Sequence, residues 1–526
     1  MAKRLIPFDQ SGAFCIPTEV TSGLRRAAVR GAGATIFASG ASFFVQIGAT
    51  MILARLLTPA DFGVVTMVTT FSLLFCSFGL NGFTEAILQR DEITKSLVSN
   101  LFWINLVCSL LLTATFIAIG PLLARFYHDA LVTRVATGMS LTILIGSLGW
   151  IHLALLSRAM QFRTVSAINI SARLVSVICS IVLAALGAGY WALVAGQVAV
   201  SVVTGIGAWW MCRWVPQPLS RSEGTWSALK FALNVYSHYA FNYITRNSDN
   251  LLVGWRFNAQ ALGFYKRAYD LFVLPESQLI SPVSAVVVTT LSRFNRDRKQ
   301  YQRYFLSGIS VLAFVGMGIG IDITLVGKDV IRVLMGPGWE EAGRIFSLFG
   351  PGIGVMLLYS THGWIHLSSG HPDRWFRWGL LESICTIGLF VAALPWGPSG
   401  IALAWTVSYF VLFVPAIWYA GTPINLPVSA ILHAVWKIFA ASTAAGLGTA
   451  LLLTGFLPRV AGLPGALGAL TRLVVISSLF FALYVVMVVL LHRGLGPMNL
   501  SLKLIRDVMP QRLAGAVDPE PQNVLQ

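Results

Sequence analysis

Fourteen long apolar runs, separated by short polar loops, occupy almost the whole of this 526-residue chain. A water-soluble globule of this size needs a charged surface. Here 56% of residues are hydrophobic, 11% are charged and the mean hydropathy is +0.74, so the chain has little with which to build one. A hydrocarbon layer about 30 Å thick is crossed by about 20 apolar residues in a helix. Lipid offers no partner for backbone amides, so each run must close its own hydrogen bonds. The expected fold is therefore an all-α polytopic membrane protein. Its spans are expected at 32–54, 61–84, 97–119, 132–156, 165–187, 190–211, 227–252, 261–290, 303–326, 340–367, 376–394, 398–420, 428–456 and 467–491.

Lys and Arg set the orientation. With an even number of spans and the amino terminus inside, 22 of the 37 basic residues fall on the inner loops and their edges, and 7 on the outer ones. Inner loops carry the excess of Lys and Arg in membrane proteins, so both termini are expected in the cytoplasm. The net charge of +16 has the same origin. Its carriers are scattered over short loops beside apolar spans, which suits anionic headgroups and not nucleic acid. Residues 1–31 are polar and basic, and the first apolar run is too long for a cleavable leader, so it is expected to stay as the first helix. Four of the six cysteines fall well inside spans and none forms a close pair in sequence, which reads as apolar packing and not as disulfides or metal ligands. Residues 492–526 are expected to form a cytoplasmic tail.

The chain repeats itself about 200 residues apart. Thr58-Pro59-Ala60-Asp61-Phe62-Gly63 follows the first run, and Asn258-Ala259-Gln260-Ala261-Leu262-Gly263 follows the seventh. Leu183-Ala184-Ala185-Leu186, with Gly189 and Ala192-Leu193 after it, matches Val391-Ala392-Ala393-Leu394 with Gly400 and Ala402-Leu403. A repeat of six spans keeps its membrane orientation. It predicts a six-helix lobe at 32–211, a cytoplasmic linker at 212–226, a second lobe at 227–420 related to the first about the membrane normal, and two further helices at 421–491. Two lobes with a cleft between them describe a transporter.

The stretch Met51-Ile52-Leu53-Ala54-Arg55-Leu56-Leu57-Thr58-Pro59-Ala60-Asp61-Phe62-Gly63 resembles the first loop of polysaccharide transporters. These belong to the multidrug/oligosaccharidyl-lipid/polysaccharide exporter superfamily. Asp249-Asn250-Leu251-Leu252-Val253-Gly254, then Leu262-Gly263-Phe264-Tyr265-Lys266-Arg267-Ala268-Tyr269, Pro275 and Leu291-Ser292-Arg293-Phe294, resemble the same family's second-lobe signature. The resemblance covers about residues 30–420. It implies a Wzx-type flippase in a bacterial inner membrane, moving sugars on a polyprenyl diphosphate between leaflets, with a polysaccharide polymerase and export machinery as partners. The first run lacks both the basic residues usual in peptidoglycan-precursor flippases and the embedded acid usual in multidrug extruders.

Charges at membrane depth are costly, so they are candidates for function. Arg173 lies about eight residues, roughly 12 Å, into the fifth run, and its planar fork suits a diphosphate. Glu382 sits near the repeat-equivalent position as a candidate for ion coupling. A structural Arg173–Glu382 pair bracing the lobes is the alternative. Asn234, His238 and Asn242, four apart beside Tyr236, Tyr239 and Tyr243, form a polar stripe suited to sugars or to an interhelical seam. Lys266 and Arg267 could receive phosphate, or pair locally with Asp270. Arg246 and Asp249 are likewise three apart. Asp249 and Glu276 join the acids that could couple an ion, and Asp322 is a further lone acid. Pro275, Pro282 and Gly350-Pro351-Gly352 are expected to interrupt the eighth and tenth runs.

No nucleotide-binding loop, metal-ligand spacing or nucleophile elbow is present. The sequence therefore predicts a transporter and not an enzyme, acting as a monomer without cofactor or metal. A drug or cation antiporter is the rival within transport, and a polysaccharide polymerase the rival outside it. A diphosphate wants a basic cavity and a cation an acidic one.

Overall fold

In the computed structural model, residues 4–15, 40, 43–455 and 464–494 are described. Most of the first predicted run, and the tail beyond residue 494, lie outside them. The described residues are helical almost throughout and contain no strand, only isolated bridges. The helices are α1 (Phe43–Leu56), α2 (Pro59–Gln89), α3 (Lys95–Tyr127), α4 (Leu131–Arg158), α5 (Phe162–Ala185), α6 (Tyr190–Met211), α7 (Thr225–Arg246), α8 (Ser248–Arg256) and α9 (Ala259–Phe272). There follow α10 (Ser281–Arg293), α11 (Arg298–Met335), α12 (Glu340–Tyr359), α13 (His362–Ser368), α14 (Pro372–Ala393), α15 (Gly397–Gly421), α16 (Val428–Gly455) and α17 (Gly465–His492). Ten helical segments among the described residues are long and apolar enough to cross a membrane.

The repeat seen in the sequence is also a repeat of local structure. Helix α2 starts at Pro59 and α9 at Ala259, 200 residues on. Each is capped from the preceding side chain: Thr58 accepts from the Asp61 amide at 3.3 Å, and Asn258 from the Ala261 amide at 2.8 Å. Each later loosens into a π-turn, Phe78–Phe83 in the first copy and Glu276–Ile280 in the second. The two helix starts then pack on each other. A Cβ on Gly63 would overlap the carbonyl of Ala259, and a Cβ on Gly263 would overlap that of Pro59. Only glycine admits so close an approach of two backbones.

Glycine serves packing elsewhere too, and this corrects one expectation. Gly350-Pro351-Gly352 does not break its run, because α12 continues from Glu340 to Tyr359. Gly350 faces Gly320 and Thr324 of α11, Gly354 faces Met317, and Gly352 faces Thr406 of α15. The glycines let three helices close on one another, and the break falls later, at Ser360-Thr361. The eighth run does break near Pro275, as expected. The seventh breaks at Asn247, where no proline or glycine announced it.

Residues 4–15 form a clip against one end of the bundle. Leu5 donates to Met211 O and accepts from the Arg213 amide, both at 2.8 Å, and Gly12 O accepts from the Lys95 amide at 2.8 Å. Phe8 joins a local apolar cluster with Phe83, Leu97, Leu155 and Trp214. At the same end Arg158 donates to the carbonyls of Ile87, Leu88, Arg90 and Asp91 at 2.6 to 3.3 Å, satisfying groups left open where α2 stops. The predicted linker is sewn to α3. Trp103 donates to Gln217 O at 2.8 Å, Gln217 donates to Ser99 Oγ at 3.0 Å, and Asn100 and Ser220 exchange bonds of 2.7 and 3.1 Å.

Candidate functional site

Three helix interruptions meet in the second half of the chain, and charged groups gather where they do. Helix α7 ends at Arg246, the second π-turn begins at Glu276, and α12 ends at Tyr359. Interrupted helices free backbone groups and so tolerate polar company at membrane depth. Glu382 of α14 joins them. Ser360 Oγ donates to Glu276 at 2.9 Å, and Trp378 Nε1 donates to the Tyr359 hydroxyl at 2.8 Å. That hydroxyl also lies beside Glu382. Arg246 interacts electrostatically with Glu276, Tyr409, Tyr269 and Glu382, which come from four other elements. Its side chain nonetheless stays exposed, while both carboxylates are half-buried. Arg246 is thus an accessible cation under the influence of groups from four elements. Tyr359 lies edge-on to Tyr409 at 5.6 Å, and Trp405 stacks on Tyr409 at 5.6 Å, so one side of the cluster is aromatic.

The cluster holds two carboxylates and one guanidinium. It is not the basic site expected of a bare diphosphate binder. His362 and His366 lie buried beside it on α13, and His362 Nδ1 is 2.6 Å from Tyr359 O. His362 Nε2 and both ring nitrogens of His366 have no partner among the described residues. No group of three His, Cys, Asp or Glu side chains there could hold a metal.

The other candidates fall elsewhere. Asp249 is fully buried and accepts from Tyr265 at 2.7 Å, Trp405 at 3.0 Å and the Asn250 amide at 2.7 Å. It ties α8, α9 and α15 together and does not pair with Arg246. Lys266 and Arg267 both pair with Asp270, at 2.5 and 3.4 Å, as the local account expected. The Arg267 guanidinium also lies 4.3 Å over the Phe62 ring, across the α2–α9 contact. Arg173 is exposed on α5 and donates to Gln46 of α1, not to Glu382. Asn234 and Asn242 are exposed on α7, the helix that also carries His238. Asp322 accepts from Ser477 of α17 at 3.1 Å. Glu276 and Glu382 are thus brought together, and Arg246 is the partner that sequence reasoning missed. Its signal was present, an arginine inside an apolar run, but its spacing to Asp249 suggested a local pair.

Helices of spanning length around an accessible charged cluster define a polytopic membrane protein of the transporter class. The chain belongs to the polysaccharide biosynthesis protein family, whose model matches residues 52–344. It is 25% identical over 371 residues to the teichuronic acid biosynthesis protein TuaB of Bacillus subtilis (strain 168), covering 70% of this chain and 76% of that one. It is 22% identical to the succinoglycan biosynthesis transport protein ExoT of Rhizobium meliloti (strain 1021), covering 68% and 73%. Its fold is similar to that of the lipid II flippase MurJ in an inward closed conformation. That likeness has a TM-score of 0.69 at 15% identity, over 87% of this chain and 99% of that one.

Proposed function

We propose that this protein flips a polyprenyl-diphosphate-linked oligosaccharide from the inner to the outer leaflet of a bacterial inner membrane, for exopolysaccharide, capsule or O-antigen assembly. The family match across more than half of the chain carries the reading. A relative named for succinoglycan transport and a fold similar to a lipid II flippase support it. About 14 spans in two six-helix lobes, 32–211 and 227–420, would be related about the membrane normal and rock against each other around the site between them, with both termini in the cytoplasm. The repeated caps and π-turns and the reciprocal glycine contact favour two related lobes. On this orientation that contact would close the outer end of the bundle, which favours an inward-facing state.

In the proposed cycle Arg246 meets the diphosphate, and Glu276 and Glu382 compete for it. Binding of an ion or proton by the acids would free the guanidinium for phosphate, which coupled transport requires. Arg173, Asn234, His238 and Asn242 remain candidates for contacts to the sugar or its lipid carrier. The chain would act as a monomer that hands its cargo to a polymerase. A deletion strain tests this. It should lose surface polysaccharide and accumulate lipid-linked intermediate, and the intact gene should restore both. Normal polysaccharide would refute the reading. The two acids favour a second reading, a drug or cation antiporter. That reading predicts drug sensitivity in the same strain with polysaccharide unchanged.

A further inference from the structure

Outside the charged cluster, a groove of about 450 Å³ runs between α4 and α6. Its walls include Leu148, Val202, Ile206, Trp209 and Trp210, and its lining is apolar almost throughout. Gly149 and Gly205 bring the two helices together at its floor. The single indole N–H of Trp209 is already bonded to Leu148 O at 2.7 Å. Water has nothing to bind there, whereas a hydrocarbon chain fits, and pockets that bury small ligands run to roughly 300–1,000 Å³.

One end of the groove carries positive charge. The Arg4 guanidinium lies 4.1 Å from the Trp210 ring, so it is held at the groove mouth. Leu5 is bridged to Met211 and Arg213 through two backbone bonds of 2.8 Å, which sets Arg213 beside the same end. Neither arginine makes an ion pair among the described residues. An apolar trough with the Arg4 guanidinium and an indole at its mouth, and the exposed Arg213 three residues past Trp210, matches an anionic phospholipid in both its parts.

We propose that this groove holds one anionic phospholipid, with an acyl chain along Val202 and Ile206 and the phosphate between Arg4 and Arg213. The clip formed by residues 4–15 supplies half of the headgroup site, so a bound lipid also fastens the clip to the bundle. The proposal requires the chain to lie in a membrane but not the transport reading, and its test measures lipid binding alone.

The full-length protein is purified into mild detergent and its lipid complexes are counted by native mass spectrometry, with phosphatidylglycerol or phosphatidylcholine added. Wild type should retain one phosphatidylglycerol and bind phosphatidylcholine at least about tenfold more weakly. Arg4→Ala with Arg213→Ala should lower phosphatidylglycerol retention by roughly tenfold or more. Val202→Trp fills the groove without touching the clip and should also abolish retention, with an unchanged thermal unfolding profile. Equal binding of the two lipids overturns the proposal, as does full retention by a folded Val202→Trp variant. Displacement of phosphatidylglycerol by an equimolar polyprenyl phosphate, blocked by Val202→Trp, would also overturn it and assign the groove to a substrate tail.

Discussion

Replacing Gly63 by alanine should open the end of the bundle where α2 and α9 meet, the outer end on the proposed orientation, without unfolding the protein. The added methyl would overlap the carbonyl of Ala259, and the obstacle is backbone, which has no alternative rotamer. Overpacking of this kind costs about 1–3 kcal/mol. The cost falls only on the arrangement in which α2 and α9 touch. A bias of that size shifts a two-state ratio by roughly 5–150-fold. Gly263→Ala meets the carbonyl of Pro59 at the same contact and should act in the same direction. Because the two sites adjoin, their effects should not add. Spin labels at Leu56 and Gln260, both exposed, would report the separation as a distance distribution in lipid nanodiscs. Each alanine variant should gain a longer-distance population at the expense of the short one. If both variants keep the wild-type distribution, or lose folded protein with no change in distance, the contact is a fixed brace and the gating argument fails.

Arg246→Ala should abolish complementation of a deletion strain at normal protein level, while Arg246→Lys keeps the charge, loses the fork and retains part of it; normal polysaccharide with alanine would move the anion site elsewhere. Asp329→Ala removes the carboxylate bonded to Arg472 at 2.5 Å in a mostly buried pair. It should destabilise by about 3–5 kcal/mol and lower membrane accumulation, and exchanging the two residues should recover much of the loss. Arg158→Ala removes charge-assisted bonds to four carbonyls and should cost about 2–5 kcal/mol, read as a lower unfolding temperature in detergent.

The sequence announced its helices because lipid imposes one rule on all of them, an apolar stretch long enough to close its own bonds. Thr58 to Gly63 and Asn258 to Gly263 announced the repeat because a cap and a close contact both need particular residues at fixed positions. The functional charges were harder to rank. Arg173 and Arg246 are each an arginine in an apolar run, and depth along the run favoured Arg173. Packing decides which face of a helix looks inward, and only Arg246 stands beside two carboxylates. Asp249 suggested a local pair with Arg246, or an acid open to an ion, because its true partners lie 16 and 156 residues away, at Tyr265 and Trp405. Glycine and proline in α12 suggested a break, since the same residues mark breaks and close packing alike. The clip at residues 4–15 left no periodic trace, because it is held through backbone bonds to distant segments.

A segment fastened to α3 at Gln217 and Ser220 cannot serve as slack tether between the halves of the chain. It travels with the first half. Any swing of one half against the other must then be taken up further along. The start of α7 is fastened as well, since Arg90, just past the end of α2, donates to Gly224 O at 2.8 Å and to Ser227 Oγ, and the next break along the chain is at Asn247. On the proposed two-lobe reading the give would fall there, directly after Arg246. A rotation between the proposed lobes would then act directly on the guanidinium that faces Glu276 and Glu382.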